Sequence, residues 1–505
     1  MKELLSPLHN GAAIPLAKLP LADNDRFFQG VLDAISGGWR VSSYFGVPKD
    51  SGAELFCVLA SKADGTIGVA RTSVAESFPS LTESCPQLHL FEREIAEQCA
   101  LTPQGHPWLK PVRFHRPFGK GESYWHHLDG NGLLPGVMPY YQVEGDEVHE
   151  VAVGPVHAGI IEPGHFRFQC HGEEVFSLEI SLGFQHRGIE QALIGGPYPQ
   201  TMYQIETIAG DTSIGHGQAY CMLIEALAGG RVPPHSEVVR GIALELERLA
   251  NHTGDLGAIA GDVGYLPTAS FCGRIRGDFL NMSAVICGSR FGRGAVRPGG
   301  VGFACGKSQA DELLNRLEAA RADLANAVEL LWSTPSVMAR LEDVGIVSRE
   351  TAREIGLVGP AARASGLNRD VRRDHPYGIF RMGQIPVVTA QSGDVYARTL
   401  LRWLEAERSM NFIEEQLHQL PALGTLTTPG NLGASRLAVS LTEGWRGEIC
   451  HTAITDDVGR FSRYKIVDPS FHNWQGLSLA LRGQQISDFP LCNKSFNLSY
   501  CGFDL

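Results

Sequence analysis

The residues able to do chemistry are scattered along the chain. Eleven cysteines are spread over 505 residues, and no two stand as Cys-x-x-Cys. No tight Cys/His cluster accompanies them, so they read as small buried hydrophobes in a reducing compartment. A phosphate-cradling Gly-x-x-x-x-Gly-Lys-Ser/Thr loop is absent. Gly292 and Gly294 make only a weak Gly-x-Gly-x-x-Gly, which argues against direct nucleotide binding. What remains are carboxylates and imidazoles: Glu162 between His157 and His165, Asp211 and His216 in one Gly-rich stretch, and Asp468 before a proline. Such groups hold and pass protons or donate to a polar ligand, and each imidazole also suits a packed structural role.

The elements that must position them follow from periodicity. Tyr220, Leu223 and Leu227 recur at helical spacing, so a buried helix is entered through the Gly-rich turn before it. Glu54–Ala60 and Gly68–Ala70 read as strands, and Phe91–Cys99 reads as a surface helix. Val151–Phe168 reads as a turn leading into strands. Helices are expected over Pro234–Gly257, Asp311–Trp332 and Gly393–Leu417, the first with a Pro-Pro start signal. Phe118–Gly145 is Gly-rich and aromatic and reads as a linker.

Composition limits the partners. The formal charge of -12 and the pI near 5.8 leave no excess of cations for phosphate neutralisation, which argues against nucleic acid and against an anionic membrane surface. No run of about 18 apolar residues occurs, so no direct membrane span is expected. The N-terminus lacks the apolar core of a signal peptide.

Several motifs carry a family resemblance. Glu206-Thr207-Ile208-Ala209-Gly210-Asp211-Thr212, with Ala219-Tyr220 downstream, resembles the E-R-I-C-G-I-C turn and following helix of nickel–iron hydrogenase large subunits. Asp468-Pro469-Ser470-Phe471-His472-Asn473 resembles that family's D-P-C-x-x-C. Phe91-Glu92-Arg93-Glu94 and Gly105-His106-Pro107-Trp108-Leu109 resemble F-E-R-E and G-H-P-D-L of the small peripheral subunit of complex I, with Trp108 in place of Asp. His186-Arg187-Gly188-Ile189-Glu190, Glu245–His252, Val296–Val301 and Gly356–Tyr377 resemble further motifs of the hydrogenase and complex I quinone-pocket subunits. These run in one order over nearly the whole chain. It is identified as resembling a fusion of two complex I-type subunits, as in the large subunits of group 4 membrane-bound hydrogenases and formate hydrogenlyases.

That resemblance implies an α+β fold class: a small N-terminal α+β domain over 1–117, a linker over 118–145, and a mainly α-helical bundle domain over 146–505 with a small β portion at its start. It places Ala209, Thr212, Ser470 and Asn473 at the four thiolate positions. Neutral hydroxyls and amides bind soft metals poorly, so no nickel–iron pair is expected and no metal is assigned to these positions. Asp211 and Asp468 are then candidate cavity acids, near enough to share a proton, hold a hard cation or cap helices. Glu162 stands where relatives carry a proton-relay carboxylate, with a raised pKa or an ion pair to Arg187 as its two readings. The positions of the relatives' quinone-binding Tyr and His hold Gly210 and Pro163, leaving His157, His165 and His216 as candidate donors to a quinone or to the cavity.

The implied function is a subunit of a membrane-associated, complex I-like redox complex. It packs against an iron–sulfur subunit and couples electron transfer to ion translocation without hydrogen chemistry. The cluster belongs to the partner, any NADH oxidation to other subunits, and antiporter-like membrane subunits complete a hetero-oligomer on the cytoplasmic face of the membrane. A quinone reductase with a rebuilt site and a non-catalytic scaffold are the alternatives.

Overall fold

The computed structural model describes residues 4–115, 117–118 and 138–505. Its first unit holds β1 (Ser6–Leu8), β2 (Ala12–Pro15), α1 (Asn24–Ser36), β3 (Arg40–Pro48), β4 (Ala53–Ala60), β5 (Ile67–Val74) and α2 (His89–Cys99). The strands form a sheet in the order β1-β5-β4-β3, with Leu21–Ala22 laid parallel to β5. α1 begins where Asp23 accepts from the Arg26 amide at 2.9 Å. It turns Phe27, Phe28, Val31 and Ala34 inward at helical spacing. Strand β2 leaves this unit and pairs with the C-terminal sheet, Ala13 opposite Ala438.

The expectation of a surface helix at 91–99 is corrected. Glu92, Arg93, Glu94 and Glu97 of α2 are all buried. Glu94 accepts from Lys465 and Arg113 at 2.8 and 2.7 Å, so the acids of this helix make the seam between the first unit and the rest. An ionised acid tolerates such burial only when paired.

After the linker, whose residues 119–137 lie outside the described residues, come β6 (Val148–Val153), β7 (His165–His171) and β8 (Glu174–Ser181) in the order β8-β7-β6. The helical core follows: α3 (Ser213–Ala228), α4 (Pro234–Asp262), α5 (Leu266–Cys287), α6 (Lys307–Trp332) and α7 (Val395–His418). α4 opens with Pro234 in its first turn, is buried along most of its length, and packs against α5 and α7. The chain closes with β9 (Arg436–Gly444), β10 (Gly447–Thr455), β11 (Phe461–Val467) and α8 (Pro469–Ala480). This four-stranded sheet, β11-β10-β9-β2, was not expected in a helical domain with β structure only at its start. All of β10 is buried, so it lacks the apolar–polar alternation that marks a half-exposed strand.

Where α4, α7 and β9 meet, the core is ionic. Arg363 donates to Glu405 at 2.9 Å and to Glu443 at 2.8 Å. Arg372 bridges Glu245 and Asp370, and His252 contacts Glu405 at 2.9 Å. Burial pushes the Glu405 carboxyl up, but Arg363, His252 and Arg248 outweigh it and hold it well below the usual range. Removing one member leaves an uncompensated buried charge. Arg363→Met should therefore lower unfolding free energy by about 3–5 kcal/mol, read from denaturant melts.

Acid attacks a different point. The buried His375 donates Nδ1–H to the Gly65 carbonyl at 3.0 Å, tying the first unit to the core. Burial, then Arg40, lowers its pKa to about 4. An unfolded histidine titrates at about 6.5, so below that pH the unfolded chain binds a proton that the folded chain refuses. The ring's contribution is complete above about pH 6.5 and is lost as pH falls through about 4. Denaturant melts of His375→Gln across that window should show a stability slope shallower than the parent's by up to about 1.4 kcal/mol per pH unit.

Candidate functional site

The first turn, residues 206–212, enters α3. Ser213 Oγ donates to the Glu206 carbonyl at 2.9 Å, and the Thr212 amide donates to the Ala209 carbonyl at 3.0 Å, so the turn closes on itself. Ala209 and Thr212 are buried. The second turn opens α8, where Asp468 Oδ1 accepts from the Ser470 amide at 2.8 Å as a helix N-cap. The two turns meet: His216, on the first turn of α3, places Nε2 3.0 Å from Asp468 Oδ2.

A third element enters the gap. Gly444 and Gly447 pair across a two-residue hairpin loop, so Trp445 and Arg446 project from its tip. Arg446 donates to both oxygens of Asp211 at 2.7 Å each. Its guanidinium lies 3.9 Å from the centre of the Trp445 ring, a cation–π contact. Trp445 Nε1 in turn donates to the Asp211 carbonyl and to Thr212 Oγ1, both at 3.1 Å. Burial disfavours the Arg446 charge, but Asp211, Asp468 and Asp255 more than offset it, so its pKa is raised. Burial pushes the Asp211 carboxyl up, and Arg446 with the Thr212 hydroxyl reverses this and holds it low.

The expected open cavity of oxygen-bearing side chains is therefore filled. Asp211 is taken by a fixed cation and Asp468 by an imidazole, so each carboxylate already has a partner other than the second acid. The cleft beside Asp211, lined by Glu247, Asn251 and Arg276 among others, offers about 20 Å³, the room of roughly one water. A roomier cavity of about 630 Å³ lies elsewhere, between α2, β8 and α8, with His89, Trp108, Glu179 and Arg482 in its wall.

The polar groups at the other two expected positions are turned onto the protein. Ser470 Oγ accepts from the Ser499 amide at 2.9 Å. Both amide atoms of Asn473 bond to the main chain of Val358, at 3.0 and 3.1 Å. Neutral oxygens and an alanine methyl, already partnered or sterically enclosed, do not make a soft-metal donor set.

The remaining candidates lie outside this cluster. His157 donates to the Gly164 carbonyl at 2.8 Å, and His165 to that of Gly154 at 3.1 Å, so both clasp the neck of the loop between β6 and β7. Glu162 sits on that loop beside Cys501, whose thiol is pushed up to about 12 by burial and then by the Glu162 carboxylate. Arg187, the expected partner of Glu162, instead donates to the carbonyls of Thr207 and Ile208 in the first turn, at 2.7 and 2.8 Å. Sequence reasoning missed Arg446, Trp445, His451 and Tyr464. The Gly-x-x-Gly between two apolar runs at 436–455 is the signal for the hairpin that carries the first two.

The profile of the family described as "Respiratory-chain NADH dehydrogenase, 49 Kd subunit" matches residues 262–433 and 425–504. The carbon monoxide-induced hydrogenase of Rhodospirillum rubrum is 31% identical over 350 residues, 69% of this chain and 97% of that protein. Formate hydrogenlyase subunit 5 of Escherichia coli is 28% identical over 86% of this chain and 78% of its own length. NADH-quinone oxidoreductase subunit 4 of Thermus thermophilus is 29% identical over 68% of this chain and 90% of its own. The chain belongs to the family of the respiratory-chain NADH dehydrogenase 49 kDa subunit and its hydrogenase relatives.

The pairing of Arg446 with Asp211 is the contact most open to direct measurement. Because Asp211 keeps part of its side chain in solvent, the pair is weaker than a fully buried one. A double-mutant cycle of Arg446→Met with Asp211→Asn should return a coupling of roughly 1–2 kcal/mol.

Proposed function

We propose that this chain is a subunit of a membrane-associated, complex I-like redox complex that works without nickel–iron chemistry. It packs against a cluster-bearing iron–sulfur subunit and helps couple electron transfer to ion translocation by antiporter-like membrane subunits. The observation that carries the reading is at the two turns: Ala209, Thr212, Ser470 and Asn473 offer no thiolate, the last two are bonded to the protein itself, and Arg446 is fixed on Asp211 of the first turn. The relatives' names support the setting, since they include a membrane-bound hydrogenase subunit alpha and NADH-quinone oxidoreductase subunits. No helix among the described residues is long and apolar enough to cross a membrane, so attachment runs through partners.

In this reading Glu162 and Asp468 are proton-handling acids of the subunit, Asp211 is a cavity acid fixed by Arg446, and the iron–sulfur cluster belongs to a partner. A quinone ring fits poorly at Asp211, because the cleft there is too small to admit one. The test is purification of the intact complex from membranes, with chain identification and metal analysis. A co-purifying cluster-bearing chain, membrane-spanning antiporter-like chains and nickel far below one atom per chain are expected. One nickel per chain, or isolation without partners, overturns the proposal.

A further inference from the structure

A row of buried side chains continues from Asp468 and His216 beyond the second turn to His451 and Tyr464. Asp468 Oδ2 lies 3.0 Å from His216 Nε2, His216 Nδ1 lies 3.0 Å from His451 Nε2, and His451 Nδ1 lies 2.9 Å from Tyr464 Oη. All four residues are at most 1% exposed. Every ring nitrogen of the two histidines is engaged within the row.

We propose that Asp468, His216, His451 and Tyr464 form a proton relay that connects the second turn to the buried core between α3 and the C-terminal sheet. This deepens the function proposed above and rests on it. With both rings neutral, only one arrangement of protons satisfies all three bonds. A carboxylate only accepts, so His216 Nε2 carries hydrogen and its Nδ1 is bare. His451 Nε2–H then donates to His216, and Tyr464 O–H donates to the bare His451 Nδ1. One concerted shift reverses the row. Tyr464 gives its proton to His451 Nδ1, His451 gives its Nε2 proton to His216 Nδ1, and His216 gives its Nε2 proton to Asp468. The shift by itself leaves a Tyr464 phenolate, which takes up a proton delivered from a solvent hydronium ion, itself left as water, so one proton enters at the phenol and one is held as the Asp468 acid. Once that proton is in place neither ring is charged and no phenolate remains.

The surroundings keep His451 and Tyr464 uncharged, while, against the effect of burial, His216 and Arg446 hold the Asp468 carboxyl low and make its protonated form a transient one. Burial, then His216, holds the His451 pKa well below the usual imidazole value, and burial, then Tyr220, holds that of Tyr464 well above the usual phenol value. Asp468 faces Arg446 and Asp211, while Tyr464 faces Tyr220, Cys221, Cys450 and Glu190. Arg463 and Lys465, its neighbours on β11, leave the other face of the strand and pair with Glu190 and Glu94. The relay thus spans from the candidate site to the core between β11 and α3, where the Tyr464 ring meets Tyr220.

One substitution reverses the row without emptying it. Asp468 Oδ1 accepts from the Ser470 amide, so in Asp468→Asn the amide oxygen stays on that donor and the NH₂ group turns to His216 Nε2. His216 and His451 must then both carry hydrogen on Nδ1. In the full-length chain labelled with [15N]histidine, and assigned with His451→Gln, nitrogen chemical shifts should report Nε2–H for both rings in the parent and Nδ1–H for both in Asp468→Asn. A His451 that keeps one tautomer in both proteins overturns the relay, whatever partners the chain is found with. Tyr464→Phe in the assembled complex should slow proton-coupled turnover by roughly tenfold to a hundredfold, with a larger solvent deuterium effect and an unchanged tautomer at His216. Unchanged turnover and isotope effect also overturn it. A tautomer reversal in a chain that co-purifies with no redox partner would leave the relay standing and sink only the assignment to a complex.

Discussion

The placement of the site rests on a guanidinium deep in the core. Arg248 donates to the carbonyls of Glu443 and Gly444 at 2.7 and 3.0 Å while its Nε holds Glu245. The Glu443 side chain is gripped by Arg363 and by the Val371 amide at 2.9 Å. These bonds immobilise the end of β9, and the next two residues are the hairpin tip that presents Trp445 and Arg446. Charges buried this deeply persist only when each is answered, so the lattice tolerates few geometries. The hairpin inherits that rigidity. On its other side Gly359, at φ +65°, lies so close that an added Cβ would stand 2.1 Å from the Arg446 carbonyl. Glycine there lets the two loops touch.

Around that tip, polar groups are consumed by neighbours. Thr212 takes the Trp445 indole, Ser470 takes the Ser499 amide, and Asn473 spans Val358, the residue before Gly359. Asn473 therefore links α8 to the contact that seats Arg446. Buried polar atoms are expected to be satisfied, and here the partners come from the chain itself. The segment after residue 498 adds a lid of backbone. Gly502 lies against the Asp468 carboxylate, where a Cβ would fall 2.6 Å from its carbon, and Asp504 accepts from the amides of Gly183 and Gln185 at 2.8 Å.

Much of this was legible in the sequence. The helices at 234–257, 311–332 and 393–417 appear where the 3.6-residue period puts them, extended by a few residues where tertiary packing carries the end. The meeting of the turns at 206–212 and 468–473 was also readable, through motif resemblance alone. The C-terminal sheet was not. Strands buried on both faces lose their alternation, and β10 reads as an apolar run with isolated polar residues such as His451 and Thr452. Partners at a sequence separation of 235 residues, such as Asp211 and Arg446, leave no local mark. The contact between the hairpin tip and the first turn was illegible for the same reason: side-chain types show what each turn offers, and only the fold shows which distant residue meets it.

The two acids of the site differ in a way that decides which can respond. The partner of Asp211 is a guanidinium, which keeps its proton at any relevant pH and so pins the carboxylate in its charged form. The partner of Asp468 is an imidazole whose second nitrogen faces another imidazole, so a proton can be exchanged along the row. Both carboxyls are held low, Asp468 by His216 against the effect of burial. Only one of those supports is itself able to move. A change of field near the turns is therefore answered at Asp468, while Asp211 and Arg446 keep the scaffold fixed.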